Sequence, residues 1–470
     1  MEAAAAPVAN QGESHGTAAK TARCGDSDES AADFISKVPD AVLCTIISLL
    51  PTKDGGRTQV FSRRWRPLWS AAPLNLEVRT RHPGPDVPIR TSSVFPDAAS
   101  EVISQHPGPA RRFCFHGLCP GDLHDQAETW FRSRALANLQ QLDVGYAFCD
   151  ERNPGRNPLP PSALRSAPTL LAARISCCDL PREMVPSMGF DLLQRLSLIS
   201  VYISADVFRG LLPACPALES LHMSNVLGTR CLHVRSPTLR SICFRDPSGK
   251  AELVIEDAPR LVRILMPFGI RENCGTIRVI CAPKLEILGP LLPLVSKLLL
   301  VSQGVSSSDS ANSMHTVKIL ALRCSGYALD GVLNILRRFP CLEKLYIIFH
   351  KHYETDAKIE PQYDRRLYPI ECLQTHLKTV VFETFVGHDK QLEFAKFFVL
   401  NAKVLNKIEF EGIYGATNDV SLAYQHTLLR VENRASRDAR FEFNSRYRNT
   451  VIHLRRHIHD LSVADPFEQL

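Results

Sequence analysis

The 470-residue sequence lacks the short motifs by which many enzymes and metal proteins are recognised. It contains no Cys-x-x-Cys pair, no glycine-rich phosphate loop and no Gly-x-Ser-x-Gly elbow. Zinc ribbons, common nucleotide-binding folds and α/β-hydrolases are therefore not indicated. The histidine pairs His350-Lys-His352 and His457-Ile-His459 could bind a metal, but we interpret them as incidental, because histidine pairs on a surface are more often without a metal. We expect no metal ion, no cofactor and no catalytic residues in this chain.

The sequence also lacks a long hydrophobic run and a large excess of one charge. Its most apolar stretch, Ile287 to Val301, is interrupted by Pro290, Pro293 and Lys297 and is shorter than the roughly 20 residues of a membrane helix. The net charge is only +6 and is spread along the chain, whereas nucleic-acid-binding proteins gather a basic stripe. We expect neither a membrane nor a nucleic-acid partner.

The 15 cysteines lie among apolar positions such as Cys44, Cys243 and Cys341, in a chain too long to depend on disulfide bonds. Reduced, mostly buried thiols are the expected state. Residues Met1 to Asn10 have neither a basic leader nor an apolar stretch long enough for a secretion signal. We therefore expect the protein in the nucleus, the cytoplasm or both.

Residues 33–76 carry the pattern of a small helical module, after a polar tail at residues 1–32 that we expect to be disordered. Behind Pro39, apolar residues recur at three- and four-residue steps, which predicts an amphipathic helix; they are Val42, Leu43, Ile46, Ile47 and Leu50. Two further short helices are predicted before Leu76. A module of this size has too small a core to be stable alone, so we expect another surface to cover its apolar stripe.

From about residue 139 the chain repeats the pattern apolar-x-x-apolar-x-apolar. Successive units begin at Leu170, Leu193, Leu218, Leu239, Leu261 and Leu285, and they continue less evenly to Leu405. This spacing falls within the period of leucine-rich repeats, about 20 to 29 residues. The sequence therefore predicts an α/β leucine-rich-repeat solenoid, an uneven horseshoe whose parallel strands line the concave side.

Two segments carry a family resemblance. The string Asp33-Phe-Ile-Ser-Lys-Val-Pro-Asp-Ala-Val-Leu43, with Arg57-Thr-Gln-Val-Phe-Ser-Arg-Arg-Trp-Arg-Pro-Leu-Trp69, resembles plant F-box motifs, except that Val38 and Phe61 replace the usual leucines. The segments Glu371-Cys-Leu-Gln-Thr-His-Leu-Lys-Thr-Val-Val-Phe382 and Ala435-Ser-Arg-Asp-Ala-Arg-Phe-Glu-Phe443 resemble the FBD region of plant F-box/FBD/LRR-repeat proteins. The expected organisation is an F-box at 33–76, repeats at 77–370, an FBD-like region at 371–445 and a C-terminal tail at 446–470.

The resemblance implies a substrate-recognition subunit of an SCF-type ubiquitin ligase, which is not itself an enzyme. Its F-box would bind a Skp-type adaptor and, through it, a cullin, while the repeats and FBD region hold a target protein. The residues expected to contact the adaptor are Val38, Pro39, Leu43, Ile46, Leu50 and Trp65. The alternative is that some of them pack inside the helical module instead. Two alternatives stay open: a scaffold that recruits no ligase and, more distantly, an enzyme whose site is assembled from distant segments.

The pattern of the strands also predicts a binding face. In each unit the residue between the two inward apolar positions points to the concave side, because side chains alternate along a strand. Cationic residues dominate the first two thirds of that face, and planar guanidinium groups suit carboxylate or phosphate oxygens. The residues expected to bind substrate are Arg174, Arg195, His222, Arg245, Arg263 and Arg323. The alternative is that these side chains form an ordinary solvated surface.

Overall fold

The computed structural model describes residues 35–78, 93–118, 122–146, 158–267, 275–293, 298–300, 313–324, 328–349, 369–412, 424, 426–444 and 458–468. The tail at 1–32 and the histidines His350, His352 and His457 lie outside these residues.

Parallel β-structure dominates the described part. The strands are β1 (Leu74–Val78), β2 (Ala110–Leu118), β3 (Gln141–Tyr146), β4 (Ala172–Ser176), β5 (Asp179–Leu180), β6 (Arg195–Ile199), β7 (Tyr202–Ile203), β8 (Ser220–Ser224), β9 (Cys231–Arg235), β10 (Ser241–Arg245), β11 (Glu252–Asp257), β12 (Arg263–Leu265), β13 (Thr276–Val279), β14 (Ile287–Leu291), β15 (Leu298–Leu300), β16 (Ile319–Cys324), β17 (Lys344–Phe349), β18 (Thr379–Glu383), β19 (Lys407–Glu411) and β20 (Arg440–Asn444). The helices are α1 (Asp40–Ile47), α2 (Thr52–Arg57), α3 (Trp65–Ala71), α4 (Pro96–Gln105), α5 (Asp122–Arg132), α6 (Ala205–Leu211), α7 (Leu329–Leu336), α8 (Glu371–Thr375) and α9 (Asp389–Asn401).

Fourteen of these strands form one main sheet, in the order β1-β2-β3-β4-β6-β8-β10-β12-β14-β16-β17-β18-β19-β20. Neighbouring strands are parallel, and equivalent positions of successive repeats pair directly: Leu196 with Leu221, then Ile242, then Ile264. These side chains are fully buried. The large parallel sheet and its mixed α/β setting fit the predicted solenoid, because each strand completes the core of its neighbour.

A second layer closes the core on one side of the main sheet. It contains a four-stranded parallel sheet, ordered β15-β13-β11-β9, and the helices α4 to α9. Apolar residues of both layers, such as Leu253 of β11 and Phe398 of α9, belong to one continuous buried cluster with the main-sheet residues. The opposite face of the main sheet is therefore the one available for contacts outside this core.

The helices α1, α2 and α3 lie N-terminal to the sheet, where the sequence predicts its helical module. They have a small core of their own, formed by Leu43, Ile47, Leu68 and Ala72. The Asn75 side chain, on β1, donates hydrogen bonds to the Ser48 and Leu50 carbonyls at 2.6 and 3.0 Å. These bonds fix the end of α1 against the first strand of the sheet.

Candidate functional site

Helix α1 packs one apolar face inside the helical module. Leu43 and Ile47 lie four residues apart and are each only 1% exposed, against Leu68 of α3. The Arg64 side chain holds the start of α1 by donating to the Asp40 carboxylate at 2.8 Å and to the Val38 carbonyl at 2.6 Å. This face stabilises the module and is not accessible to a partner.

An adjoining face of the same helix is apolar and exposed. Val42 and Ile46 are each 46% exposed, and Leu49, just past the helix end, is 62% exposed. Residues at i, i+4 and i+7 share one helix face. Val60 and Phe61 add two more exposed apolar side chains to the module. A helix with apolar side chains on two faces is stable in water when both faces are buried. The exposed face of α1 is therefore a candidate surface for a partner protein.

The residues predicted to contact the adaptor divide between the core and the surface of the module. Ile46 and Pro39 are exposed, and Val38, Leu50 and Trp65 are half-buried. The prediction that Leu43 contacts the adaptor is corrected by the structure, because its side chain is enclosed in the module core. Leu43 therefore stabilises the fold of the module. Sequence reasoning missed Leu49, although its spacing from Val42 and Ile46 was a usable signal.

The second candidate surface is the open face of the main sheet, which we call the row face. The strand pairing places the predicted concave residues in one row across the sheet, with a local register shift beside Gly289. The predicted residues of the row are Asp143, Arg174, Ser197, His222, Cys243, Leu265, Gly289, Ala321, Tyr346, Val381 and Glu409. The pairing of β2 with β3 extends the row to Cys114, which the sequence pattern did not include. Apolar members of this row, such as Leu265, Tyr346 and Val381, belong to a buried cluster separate from the main core, so the row lies on the face opposite that core.

Residues 458–468, the C-terminal segment, lie across the middle of this row face. Ile458 and Phe467 are buried there and form an apolar cluster with side chains of the sheet. The sheet residues of this cluster are Cys243, Leu265, Ile287, Ala321, Tyr346, Ile348 and Val381. The chain thus covers the centre of its own predicted binding face, which the sequence pattern did not indicate.

Arg263, on β12, holds the main chain of the C-terminal segment. Its guanidinium donates to the carbonyls of Ile458, Asp460 and Val463 at 3.3, 2.9 and 3.2 Å, and its Nε donates to Ser241 Oγ at 3.0 Å. Burial lowers the pKa of Arg263 below its ordinary value. The carbonyl dipoles compensate the desolvated charge, since buried charges need hydrogen-bonding partners.

Lys344 and Tyr346, on β17, bind the other end of the segment. The Asp465 carboxylate accepts from Lys344 Nζ and from the Tyr346 hydroxyl, both at 2.8 Å. The Phe467 ring packs on the Tyr346 ring with centroids 5.6 Å apart. Burial and the Asp465 carboxylate raise the pKa of Tyr346 well above its ordinary value, so the hydroxyl stays a donor. An acidic and an aromatic side chain are thus recognised together.

His459 is a correction to the sequence interpretation of an incidental surface residue, because it is half-buried in a polar site at the β6 end of the segment. Its Nε2 lies 2.6 Å from Ser197 Oγ and its Nδ1 lies 2.8 Å from Ser220 Oγ. Burial, together with the charges of Arg195, Arg174 and Arg263, lowers the pKa of His459 to about 4. A neutral imidazole, with one donor and one acceptor nitrogen, satisfies both hydroxyl groups.

The residues predicted to bind substrate therefore differ in their exposure to solvent. Arg174 and Arg195 are exposed at the β4 and β6 end of the row face, and Arg245 and Arg323 are half-buried. Arg263 is only 3% exposed and His222 is 8% exposed. Arg263 is not an open cation in this structure, because the C-terminal segment already accepts its hydrogen bonds. His222 lies beside the His459 ring, at a centroid distance of 6.2 Å.

A cluster of Cys114, His116 and Asp143 lies near the N-terminal end of the row face, with possible metal-ligand atoms within 4.8 Å of one another. His116 Nε2 is 2.7 Å from Asp143 Oδ1, and Arg174 Nε is 3.5 Å from the same oxygen. Burial alone would raise the pKa of Asp143, but His116 and the arginines lower it. Burial and Asp143 raise the pKa of Cys114 well above its ordinary value. The thiol is thus kept protonated, unlike an activated nucleophilic cysteine.

None of the helices in the described ranges is long and apolar enough to span a bilayer.

Two family models match the sequence. Residues 127–347 match the model described as FBD-associated F-box protein At5g56370, LRR repeats. Residues 365–410 match the FBD model. These matches confirm the repeat and FBD resemblances that the motifs indicated, and together they extend from α5 to β19.

Three curated relatives match between 52% and 89% of the chain. The putative FBD-associated F-box protein At3g50710 of Arabidopsis thaliana is 26% identical over 410 residues, covering 80% of this chain and 92% of its own length. The F-box/FBD/LRR-repeat protein At5g53840 of the same plant is 24% identical over 454 residues, covering 89% and 97%. F-box/LRR-repeat protein 13, also from Arabidopsis thaliana, is 27% identical over 256 residues, covering 52% and 53%.

Proposed function

We propose that this chain, which is similar to the plant F-box/FBD/LRR-repeat proteins along most of its length, is a non-catalytic substrate-recognition subunit of an SCF-type ubiquitin ligase. The helical module α1 to α3 acts as an F-box that binds a Skp-type adaptor and, through it, a cullin. The repeat and FBD-like regions bind the target protein. Bringing a target lysine near a charged conjugating enzyme raises the effective concentration of the reacting groups.

The observation that carries this proposal is the exposed apolar face of α1. Val42, Ile46 and Leu49 point away from a module core that is already complete without them. Apolar side chains concentrated on a short helix mark a protein interface, because burying them on a partner contributes about 25 cal/mol per Å² of apolar surface. The module thus has a face for a partner at the opposite end of the chain from the FBD-like region.

Co-purification with a Skp-type adaptor tests the adaptor contact. We expect Ile46→Asp combined with Leu49→Asp to abolish association, because burying an unpaired carboxylate at the interface costs several kcal/mol. The matched control is Val386→Asp, which charges a residue of similar exposure, 48%, outside the module. It should leave adaptor yield unchanged. Wild-type yield from the doubly charged variant would overturn the proposal.

A scaffold that recruits no ligase is the competing function, and the same experiment separates the two. A scaffold would recover its binding partners through the row face but would show no adaptor association that depends on Ile46.

We further propose that the protein acts in the nucleus, the cytoplasm or both. None of the cysteines in the described residues forms a disulfide bond, as in a reducing compartment. Imaging of a tagged chain tests this placement.

A further inference from the structure

The C-terminal segment is held the way a bound peptide is held. Hydrogen bonds reach it from side chains of the sheet, including Ser197, Ser220, Arg263, Lys344 and Tyr346. The main-chain carbonyls are bound by a cation, which does not depend on the sequence of the ligand. Two side chains, those of Asp465 and Phe467, are recognised individually at the β17 end.

The middle of the row face is apolar and is buried only because the C-terminal segment lies on it. Without the segment, the apolar side chains of Leu265, Ala321, Tyr346 and Val381 would form an open patch beside the buried guanidinium of Arg263. Contiguous apolar patches of this kind are sites of protein contact. Beyond the His459 end, the exposed side chains of Arg174 and Arg195 extend the face with positive charge.

We propose that the row face between β6 and β18 is a peptide-binding surface, with the C-terminal segment as its intramolecular ligand. The target protein displaces this segment with one of the same chemistry, in which a carboxylate lies two residues before an aromatic ring. The carboxylate binds Lys344 and Tyr346, and the ring packs on Tyr346. This inference rests on the proposed function, since it names the chemistry of the target segment.

Competition with a synthetic peptide tests the inference on the full chain. The probe is a fluorescent peptide with the sequence of residues 458–468, and the chains compared are wild type and the double variant Asp465→Lys, Phe467→Asp, which releases the segment. We expect the double variant to bind the peptide at least about tenfold more tightly than wild type, whose surface is occupied. Equal affinity, or no binding to a folded double variant, would overturn the proposal.

Lys344 supplies the specificity control. For this control the segment is released with Asp465→Ala and Phe467→Asp, so that the chain carries no lysine at position 465. In that background, Lys344→Asp should abolish binding of the original peptide and restore binding of a peptide carrying Asp465→Lys. The matched control Lys396→Asp, which disrupts the ion pair with Glu393 on α9, should leave peptide affinity unchanged. A Lys344→Asp variant that keeps the original peptide affinity would contradict the assigned contact.

Two further measurements distinguish failure of the peptide-binding inference from misfolding of the variant and from failure of the ligase function. If the double variant does not fold, the milder Asp465→Asn gives the same comparison, with a smaller gain in affinity over wild type; an unchanged affinity there would overturn the inference. The peptide assay contains no adaptor. A chain that binds the peptide but fails adaptor co-purification would therefore refute the ligase function and leave the peptide-binding surface intact.

Discussion

Ile46 and Ile47 are consecutive residues of α1 with opposite roles. Ile46 is 46% exposed, whereas Ile47 is 1% exposed in the module core. Successive helical residues are rotated by about 100°, so one residue step moves a side chain from one face to the next. Sequence periodicity placed both residues in the apolar stripe of one amphipathic helix. It could not show which face packs on α3, because that depends on where α3 lies.

The pH dependence of the C-terminal segment belongs to this residue scale. The groups facing His459 are Arg174, Arg195 and Arg263, with the His222 ring and two serine hydroxyls. The pKa of His459 is about 4 when the segment is bound, against about 6.5 for a free histidine. The bound state therefore binds fewer protons than the released state between these values, and acidification favours release.

We expect acidification from pH 7 to pH 5 to lower the free energy of attachment of the segment by roughly 1 to 2 kcal/mol. The contribution of neutral His459 is fully present above about pH 6.5 and is lost as the pH falls toward 4. Hydrogen exchange of residues 458–468 at the two pH values, corrected for the intrinsic rate, measures this change. The control His459→Gln cannot titrate and should show no pH-dependent step. The same step in that variant would assign the effect to another group.

At the scale of elements, the glycine pair Gly55-Gly56 lies inside helix α2, where each glycine costs about 1 kcal/mol relative to alanine. Only one of the two glycines is required by the packing of α2. A Cβ on Gly55 would lie 2.5 Å from the Trp69 ring of α3, whereas a Cβ on Gly56 would lie 3.7 Å from it, an ordinary contact. Gly55 thus permits the close packing of α2 on the Trp69 indole, and Gly56 does not serve that purpose.

This difference predicts opposite effects for two matched substitutions. Gly55→Ala should destabilise the module by about 1 to 3 kcal/mol, because the indole must move. Gly56→Ala should be neutral or stabilising by up to about 1 kcal/mol, because only the helix preference changes. Hydrogen exchange of residues 40–71 in the full chain reports both effects. A Gly55→Ala variant as well protected as Gly56→Ala would contradict the close contact.

At the scale of the whole molecule, the repeats share one core rather than having one each. Leu221 of β8 is fully buried and pairs with Leu196 of β6 and Ile242 of β10. A buried side chain shared in this way couples the stability of adjacent repeats, because opening one strand exposes the core of the next.

We expect Leu221→Ala to lower the free energy of unfolding by about 2 to 5 kcal/mol, from lost burial and the cavity that remains. Hydrogen exchange should accelerate in β6 and β10 as well as in β8. Leu192→Ala, at a residue 51% exposed, is the control and should change neither quantity appreciably. Acceleration confined to β8 would contradict a shared core.

The sequence by itself determined the repeat architecture and the row of residues across the sheet. Both follow from local periodicities: the spacing of apolar residues within a unit and the alternation of side chains along a strand. The strands from β3 to β19 in the main sheet lie where the repeat pattern predicts them. The strands β1 and β2 were not predicted, because the segments around Leu76 and Phe113 precede the regular spacing.

Only the tertiary structure decided what covers the row face. Arg263 and Asp460 are 197 positions apart in the chain, and Ser220 and His459 are 239 positions apart. No periodicity connects such pairs, and an isolated Asp-Pro-Phe near the C-terminus has no local signature. Their contact depends on the sheet bringing distant strands side by side, since side chains on one face of a sheet meet only after the strands have paired.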